Sequence, residues 1–185
     1  EMEGALEEIK KVTENSPVVI SIGHTNASFE EAKAGIDAGA TNITHLFNAQ
    51  TALNHRNPGV VGAALLGDVT TELIADTFHI HKGLFELIAR IKGDNLVLIT
   101  DCIRAGGMPD GEYDLGGQAV SVNGIKCLLA DGTIAGSVLR LNNAVKNVRD
   151  NTSLPLWKVV AAASLNPARA IGVADRKGSL EAGKD

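Results

Sequence analysis

The stretch from residue 18 to residue 45, VVISIGHTNASFEEAKAGIDAGATNITH, decides the fold. Its apolar residues 18–22 predict a buried strand, and His24 follows that strand. Residues 41–47 predict a second strand, which ends around His45. Because the connection between the two strands is long enough for a helix, we expect a parallel pair joined by a helical crossover.

The connecting helix carries start and stop signals. Ser28 and Glu31 form an S-x-x-E capping box, and Gly39 marks the end of the helix. The same strand-then-helix unit recurs, with a third strand at residues 72–76 and a fourth at residues 96–99. This succession predicts an α/β fold with parallel strands and helical crossovers.

Residues 110–135 interrupt this alternation of strands and helices. They contain short β-rich segments separated by Gly-Gly, Asn-Gly and Asp-Gly pairs, and Asn-Gly is a strong hairpin signal. We interpret them as a β-meander inserted after the fourth strand. The chain is helical again from residue 139, so residues 1–185 are predicted to form one domain with this β-rich insertion.

Composition excludes several classes of protein. Hydrophobic residues make up 44 % of the 185 residues, and the formal net charge is −5. Because no block of lysine and arginine occurs, we expect neither nucleic acid nor an anionic membrane surface as a partner. No apolar run approaches the roughly 20 residues that span a bilayer. Cys102 and Cys127 lack a C-x-x-C spacing, which is typical of reduced thiols in a cytoplasmic protein.

Polar side chains end all of the predicted parallel strands. His24 and His45 take equivalent places on consecutive strands, which lie ~4.8 Å apart, so both imidazoles can reach one metal ion. His79 ends the third predicted strand and Asp101 the fourth. Polar residues at such strand ends form the active sites of (β/α)8 barrels. The set favours a metal site, although a single histidine at a strand end is more often a hydrogen-bonded structural residue.

Asp101 and Arg56 each allow two interpretations. A bound metal ion lowers the pKa of water toward ~7, and a neighbouring carboxylate can accept and return its proton. Asp101 suits that role, but an aspartate at a strand end also caps helices. Arg56 could bind a phosphate or carboxylate through two guanidinium nitrogens, or be a solvated surface residue. We favour a structural role for His81 and assign none to His55.

Several short motifs occur together in a fixed order. They are Gly23-His24-Thr25, residues 44–49 (THLFNA), residues 55–62 (HRNPGVVG), residues 74–79 (IADTFH), Thr100-Asp101 and residues 131–137 (DGTIAGS). In this combination the chain resembles the N-acetylglucosamine-6-phosphate deacetylases of the amidohydrolase superfamily, from about Ser16 to its end. The string at residues 44–49 is specific to that family. Thr77 is a departure, because glycine is commoner in its place.

The resemblance implies a (β/α)8 barrel that binds a divalent metal ion, for which we expect zinc. These residues would be the second half of that barrel, and full-length members would be homodimers. The family's metal site also uses a glutamate from an earlier strand, which residues 1–185 lack, so we expect a fragment of the full enzyme. We therefore expect the isolated chain to bind metal weakly, to self-associate and not to turn over substrate.

Site roles carry over from the family position by position. The resemblance implies that His24 and His45 bind the metal and that Asp101 is the general base and acid. Further family positions would bind the substrate: Asn48, Ala49, Arg56, His79, Ile134, Ala135 and Gly136. Arg56 would reach the phosphate across a dimer interface, and His79 would bind the sugar or polarise the acetyl carbonyl.

The implied activity is metal-dependent hydrolysis of the acetamide of N-acetyl-D-glucosamine 6-phosphate, an amino-sugar phosphate, to glucosamine 6-phosphate and acetate. One alternative is another amidohydrolase activity, such as that of dihydropyrimidinases or N-acyl amino acid deacylases. Arg56 argues against it, because those substrates carry no phosphate. The other alternative is a catalytically incomplete fragment that only binds metal or partners.

Overall fold

The computed structural model describes residues 2–185 and contains a parallel sheet and a separate antiparallel sheet. The parallel sheet has four strands in the order of the chain. They are β1 (Ser21–Ile22), β2 (Asn42–Ile43), β3 (Thr70–Ile74) and β4 (Leu96–Ile99). Every neighbouring pair in this sheet is parallel. The predicted α/β fold with parallel strands in succession is therefore confirmed.

Helices connect these strands and continue after the sheets. They are α1 (Ala5–Asn15), α2 (Phe29–Asp37), α3 (Gly59–Leu66), α4 (Phe85–Lys92), α5 (Leu141–Asn151), α6 (Leu156–Ala162) and α7 (Leu165–Ala170), with short 3₁₀ helices at Lys82–Leu84 and Gly93–Asn95. The predicted capping box begins α2, because Ser28 Oγ accepts from the Glu31 amide and Glu31 Oε2 accepts from the Ser28 amide. None of the helices formed by residues 2–185 has the length and apolar character that a bilayer crossing needs.

Three predicted strand boundaries were wrong. The first strand does not begin at residue 18, because Val18 is 55 % exposed and pairing starts only at Ser21. This strand lies at the edge of the sheet, where residues before Ser21 have no neighbour on one side. The second strand ends early because the backbone turns left-handed at His45 (φ 30°) and Phe47 (φ 77°). The third strand runs over Thr70–Ile74 rather than residues 72–76, and His79 lies five residues beyond its end.

The main core lies between the parallel sheet and the helices α3 to α6. Its fully buried side chains include Ile43, Leu73, Ile74, Phe85 and Ile88. Burial of each large apolar side chain contributes about 1.5–3 kcal/mol. This core fixes the strands, and with them the positions of the loops that follow their carboxyl ends.

The β-rich residues after β4 form the antiparallel sheet. Its strands are β5 (Gly111–Leu115), β6 (Gln118–Asn123) and β7 (Lys126–Leu129), paired in that order. A small core under this sheet includes Val120, Val122 and Cys127. The chain then returns to the parallel sheet, where Ser137 pairs with Cys102 in a parallel bridge.

A buried lysine joins α3 to α4. Lys92 is only 5 % exposed, and its Nζ donates to the carbonyl oxygens of Ala64 at 2.8 Å and Gly67 at 2.9 Å. Burial lowers the pKa of Lys92. These two carbonyls lie at the end of α3, where helical carbonyls have no partner within their own helix. Lys92 therefore caps α3 from the neighbouring helix.

We expect Lys92→Met to lower the free energy of unfolding by about 1–3 kcal/mol, because it leaves buried carbonyl groups without a donor. Urea unfolding followed by circular dichroism measures the change. Lys10→Met is the matched control, since the Lys10 side chain is 68 % exposed on α1. Equal unfolding midpoints for the two variants would show that the Lys92 cap contributes nothing.

Candidate active site

A repeated pattern places one reactive side chain after each parallel strand. All four strands end at an isoleucine, and a histidine or an aspartate stands two positions later. These side chains are His24, His45, Asp76 and Asp101. His79 follows β3 by five residues, so it does not hold the strand-end position that the sequence suggested. The equivalent position on β3 belongs to Asp76.

The register of the sheet arranges these positions in pairs. Ile22 is paired with Ile43, and Ile74 is paired with Ile99, so the side chains two positions later are also in register. Between β2 and β3 the register is staggered, because Ile43 is paired with Thr71. His24 therefore lies beside His45 on one side of the stagger, and Asp76 and Asp101 follow neighbouring strands on the other.

The two paired histidines are in ring contact. The centroids of His24 and His45 are 4.9 Å apart, with an angle of 57° between the ring planes. His45 is only 6 % exposed, and its buried Nδ1 has no hydrogen-bond partner within residues 2–185. An unsatisfied buried nitrogen is costly, and a bound cation would satisfy it. The pair therefore fits two ligands of a divalent metal ion.

The described residues do not complete a metal site by themselves. No group of three histidine, cysteine, aspartate or glutamate side chains that could hold a metal ion occurs within residues 2–185. Catalytic zinc normally has three protein ligands. His24 and His45 could thus supply two donors, and no third side chain of these types groups with them within residues 2–185.

Side-chain amides hold the loop that carries His45. The backbone is left-handed at His45, Phe47 and Ala49, a conformation that costs non-glycine residues about 1–2 kcal/mol each. Asn48 Nδ2 donates to the carbonyl oxygens of His45 at 3.1 Å and Leu46 at 3.2 Å. Gln50 Nε2 donates to the Thr44 carbonyl at 2.9 Å. These bonds offset the strain and fix the orientation of the loop.

Asp101 is anchored through its backbone and not through its side chain. It too has a left-handed backbone, with φ 48°. The Ser137 amide donates to the Asp101 carbonyl at 2.9 Å, and the Ser137 hydroxyl donates to the Thr100 carbonyl. Ser137 is 1 % exposed, so this anchor is shielded from water. The Asp101 carboxylate remains exposed to the cavity described next.

A cavity of about 910 Å³ brings most of the predicted site residues together. Its predicted lining residues are His24, His45, Asn48, Ala49, His79, Asp101, Ile134 and Gly136. Sequence reasoning missed five further lining residues: Phe47, Cys102, Ile103, Leu115 and Thr133. Burial raises the pKa of the Cys102 thiol, and the nearby Asp101 carboxylate raises it further. Cys102 is therefore a neutral part of the wall.

The structure places Ala135 and Arg56 away from this cavity. Ala135 is buried, and its amide donates to the Cys127 carbonyl at 3.0 Å in the small core. Arg56 is exposed and lines a separate groove of about 410 Å³ with Asn54 and Asn57. Neither residue contributes to the cavity wall within this chain.

The other two histidines also lie outside the cavity. His81 caps the 3₁₀ helix that follows it, where its Nδ1 accepts from the Gly83 amide at 3.2 Å. His55 is exposed in the loop before α3. The structural role that we favoured for His81 agrees with this cap.

Asp76 forms a buried pair with His79. Its Oδ2 is 2.6 Å from His79 Nδ1, and its Oδ1 accepts from the amides of Phe78 and His79, both at 2.8 Å. The side chains of Asp76 and His79 are 2 % and 5 % exposed. Thr77 between them is left-handed, with φ 71°. Sequence reasoning gave Asp76 no role, although it shares the strand-end pattern of the other three residues.

Comparison with known proteins agrees with this geometry. A model of the amidohydrolase family matches residues 1–185. An N-acetylglucosamine-6-phosphate deacetylase from Lysinibacillus sphaericus is 45 % identical over 172 residues, which is 92 % of this chain and 44 % of that protein. An N-acetylgalactosamine-6-phosphate deacetylase from Escherichia coli O157:H7 is 40 % identical over 185 residues, which is 100 % of this chain and 49 % of that protein.

Solved structures match over a similar extent. The N-acetylglucosamine-6-phosphate deacetylase of Pasteurella multocida has a TM-score of 0.92 at 34 % identity, over 97 % of this chain and 47 % of that chain. An aspartate-to-alanine mutant of the Mycobacterium smegmatis enzyme, in complex with N-acetyl-D-glucosamine-6-phosphate, has a TM-score of 0.93 at 37 % identity, over 100 % of this chain and 49 % of that chain. The chain spans about half the length of these relatives. It belongs to the amidohydrolase family.

Proposed function

We propose that the protein hydrolyses the acetamide of N-acetyl-D-glucosamine 6-phosphate to glucosamine 6-phosphate and acetate. The observation that carries this proposal is the single cavity shared by His24, His45, His79 and Asp101. These residues follow the carboxyl ends of parallel strands, where enzymes of barrel type have their active sites. Relatives that carry this name match nearly the whole of the chain, which supports the assignment of the reaction.

We assign metal binding to His24 and His45, with zinc as the ion. The orphaned Nδ1 of His45 and the 4.9 Å ring contact support this assignment. When bound, a divalent ion supplies polarisation of the acetyl carbonyl and a water molecule of lowered pKa. The family resemblance implies a glutamate as a further ligand, and no residue of the described part is placed to supply it.

Asp101 moves the proton that the reaction must transfer. Hydrolysis of an amide takes one proton from the attacking water and delivers one to the departing amine. A carboxylate that is open to the cavity can do both in turn. The backbone anchor through Ser137 supports this role, because it holds Asp101 in place while leaving its carboxylate oxygens free of that anchor.

The remaining wall residues would recognise the sugar and its acetyl group. His79 would donate to the acetyl oxygen, and Asn48 and Ala49 would contact the sugar. Both amide hydrogen bonds of Asn48 go to the backbone, so its side-chain oxygen is the atom left for substrate. Ile134 and Gly136 would line the side that receives the acetyl methyl group.

In a homodimer, Arg56 would bind the phosphate of the substrate held in the cavity of the neighbouring subunit. Its exposure and its position in a separate groove support this assignment, since it does not contact the cavity of its own chain. Guanidinium groups bind phosphate through two parallel hydrogen bonds, so one arginine can fix both the position and the charge of the substrate.

The galactosamine epimer is a second candidate substrate. The relative at 40 % identity over the whole chain is named for N-acetylgalactosamine 6-phosphate. Acetate release should therefore be measured with both 6-phosphorylated sugars. In a full-length version of the enzyme, we expect turnover of the glucosamine form, loss of turnover on removal of metal by a chelator, and recovery on addition of zinc. Turnover that survives complete metal removal would contradict the proposed reaction.

In a full-length version of the enzyme, we expect Asp101→Asn to lower kcat by at least ~10²-fold, because general acid–base catalysis contributes on that scale. Zinc content, measured by atomic absorption, should stay nearly unchanged, since Asp101 is not assigned as a ligand. Asp94→Asn is the control, because Asp94 is exposed, lies at the opposite end of β4 from Asp101 and does not line the cavity. Near-normal turnover by Asp101→Asn would remove this residue from the mechanism.

In a full-length version of the enzyme, we expect Arg56→Ala to raise KM for the 6-phosphorylated sugar by roughly tenfold to 150-fold, the equivalent of a charge-assisted contact of ~1.5–3 kcal/mol. Activity toward the unphosphorylated sugar should barely change, because that substrate has no phosphate for Arg56 to bind. Arg90→Ala serves as the control, since the Arg90 side chain is 72 % exposed on α4. Equal losses on both substrates would make Arg56 a structural residue.

A further inference from the structure

Asp76 holds the strand-end position on β3 but does not line the cavity. The lining residue that follows β3 is His79, and Asp76 lies behind it at 3 % exposure. At the other three strand ends, the residue two positions after the strand lines the cavity itself. After β3, therefore, the strand-end residue does not line the cavity itself. Asp76 contacts His79, and His79 lines the cavity.

The hydrogen bonds of Asp76 determine where the proton on His79 lies. Two backbone amides donate to Oδ1, and the ring nitrogen Nδ1 is 2.6 Å from Oδ2. An ionised carboxylate only accepts hydrogen bonds, so Nδ1 must carry the proton that lies between Nδ1 and Oδ2. Because one nitrogen of the ring is taken by this bond, Nε2 is the nitrogen left for a ligand in the cavity.

We propose that Asp76 is a positioning residue, which fixes the Nδ1–H tautomer of His79 and presents Nε2 to the acetyl oxygen of the substrate. This inference rests on the proposed function for the identity of that oxygen. A ring that already carries a proton on Nδ1 donates from Nε2 only when it is doubly protonated. The Asp76 carboxylate balances the resulting positive charge in a pair that is almost shielded from water.

The neighbouring His81 provides an internal reference. Its Nδ1 accepts a hydrogen bond from the Gly83 amide at 3.2 Å, so the neutral ring carries its proton on Nε2. Two histidines separated by one residue should therefore differ in tautomer. The difference follows from their partners, which are a carboxylate for His79 and a backbone amide for His81.

Nitrogen-15 NMR of the histidine rings in the 185-residue chain tests the tautomer without substrate or metal. We expect the Nδ1 resonance of His79 to lie in the range of protonated nitrogens and that of His81 in the range of unprotonated nitrogens. His79→Gln and His81→Gln variants assign the two signals. An unprotonated Nδ1 in His79 would overturn the proposal.

Asp76→Asn tests the consequence for the reaction. The amide oxygen can still accept from the amides of Phe78 and His79, but the amide nitrogen donates toward Nδ1 and should move the ring proton to Nε2. An aspartate-to-asparagine change beside a catalytic histidine acts through the tautomer in serine proteases. In a full-length version of the enzyme, we expect kcat for acetate release to fall by roughly tenfold with KM changed less than threefold, because a neutral Nε2–H replaces a charged donor and charge-assisted hydrogen bonds are roughly twice as strong as neutral ones. The His81 signal should not move.

The readouts separate this inference from the proposed function. If the full-length wild-type enzyme releases no acetate, the proposed function fails, and the ring resonances still decide the role of Asp76. If Asp76→Asn does not fold, the wild-type spectrum alone decides it. A variant that folds, changes the His79 tautomer and keeps wild-type kcat would show that the pair is structural. Asp94→Asn is again the matched control and should change neither the tautomer nor kcat.

Discussion

The site depends on the register of the parallel sheet. Ile22 pairs with Ile43 and Ile74 pairs with Ile99, so residues at equal distances beyond these ends come to lie side by side. A slip of one residue in either ladder would turn the reactive side chain to the opposite face of the sheet. Buried apolar residues of β2 to β4 fix that register. The packing of the core therefore also determines the geometry of the site.

The loops after the strands store strain at the same places. Within residues 2–185, the non-glycine residues with left-handed backbones are His45, Phe47, Ala49, Thr77 and Asp101, and all of them lie in these loops. Such conformations persist only where surrounding contacts hold them. The Asn48 and Gln50 amides hold one loop, the Asp76 carboxylate a second and Ser137 a third. These polar residues orient the reactive side chains as well as the backbone.

The sequence was informative where periodicity and end signals coincide. The parallel order, the capping box of α2, and the cavity positions of His24, His45 and Asp101 could all be predicted, because each follows from an apolar run and the residue after it. The place of His79 could not be predicted. The third strand ends at Ile74 and the loop after it turns left-handed at Thr77, and a hydrophobic pattern carries no information about the sign of φ.

Other features needed three-dimensional information. Asp76 could have been found from the shared isoleucine-x-histidine or isoleucine-x-aspartate pattern, but its contact with His79 depends on a turn. Leu115 reaches the cavity from the end of β5 and Thr133 from the loop after β7, and nothing in their local sequence indicates it. Ala135 alternates with cavity residues on either side and points into the small core instead.

The most direct measurement is a zinc titration of the chain followed through its histidine ring resonances. If His24 and His45 form one metal site, their signals should change together as zinc is added, even if two ligands bind it weakly. The exposed His55 and the helix-capping His81 should stay unchanged over the same range. Changes confined to His55 and His81, or changes at His24 and His45 that occur independently, would contradict a shared metal site at the strand ends.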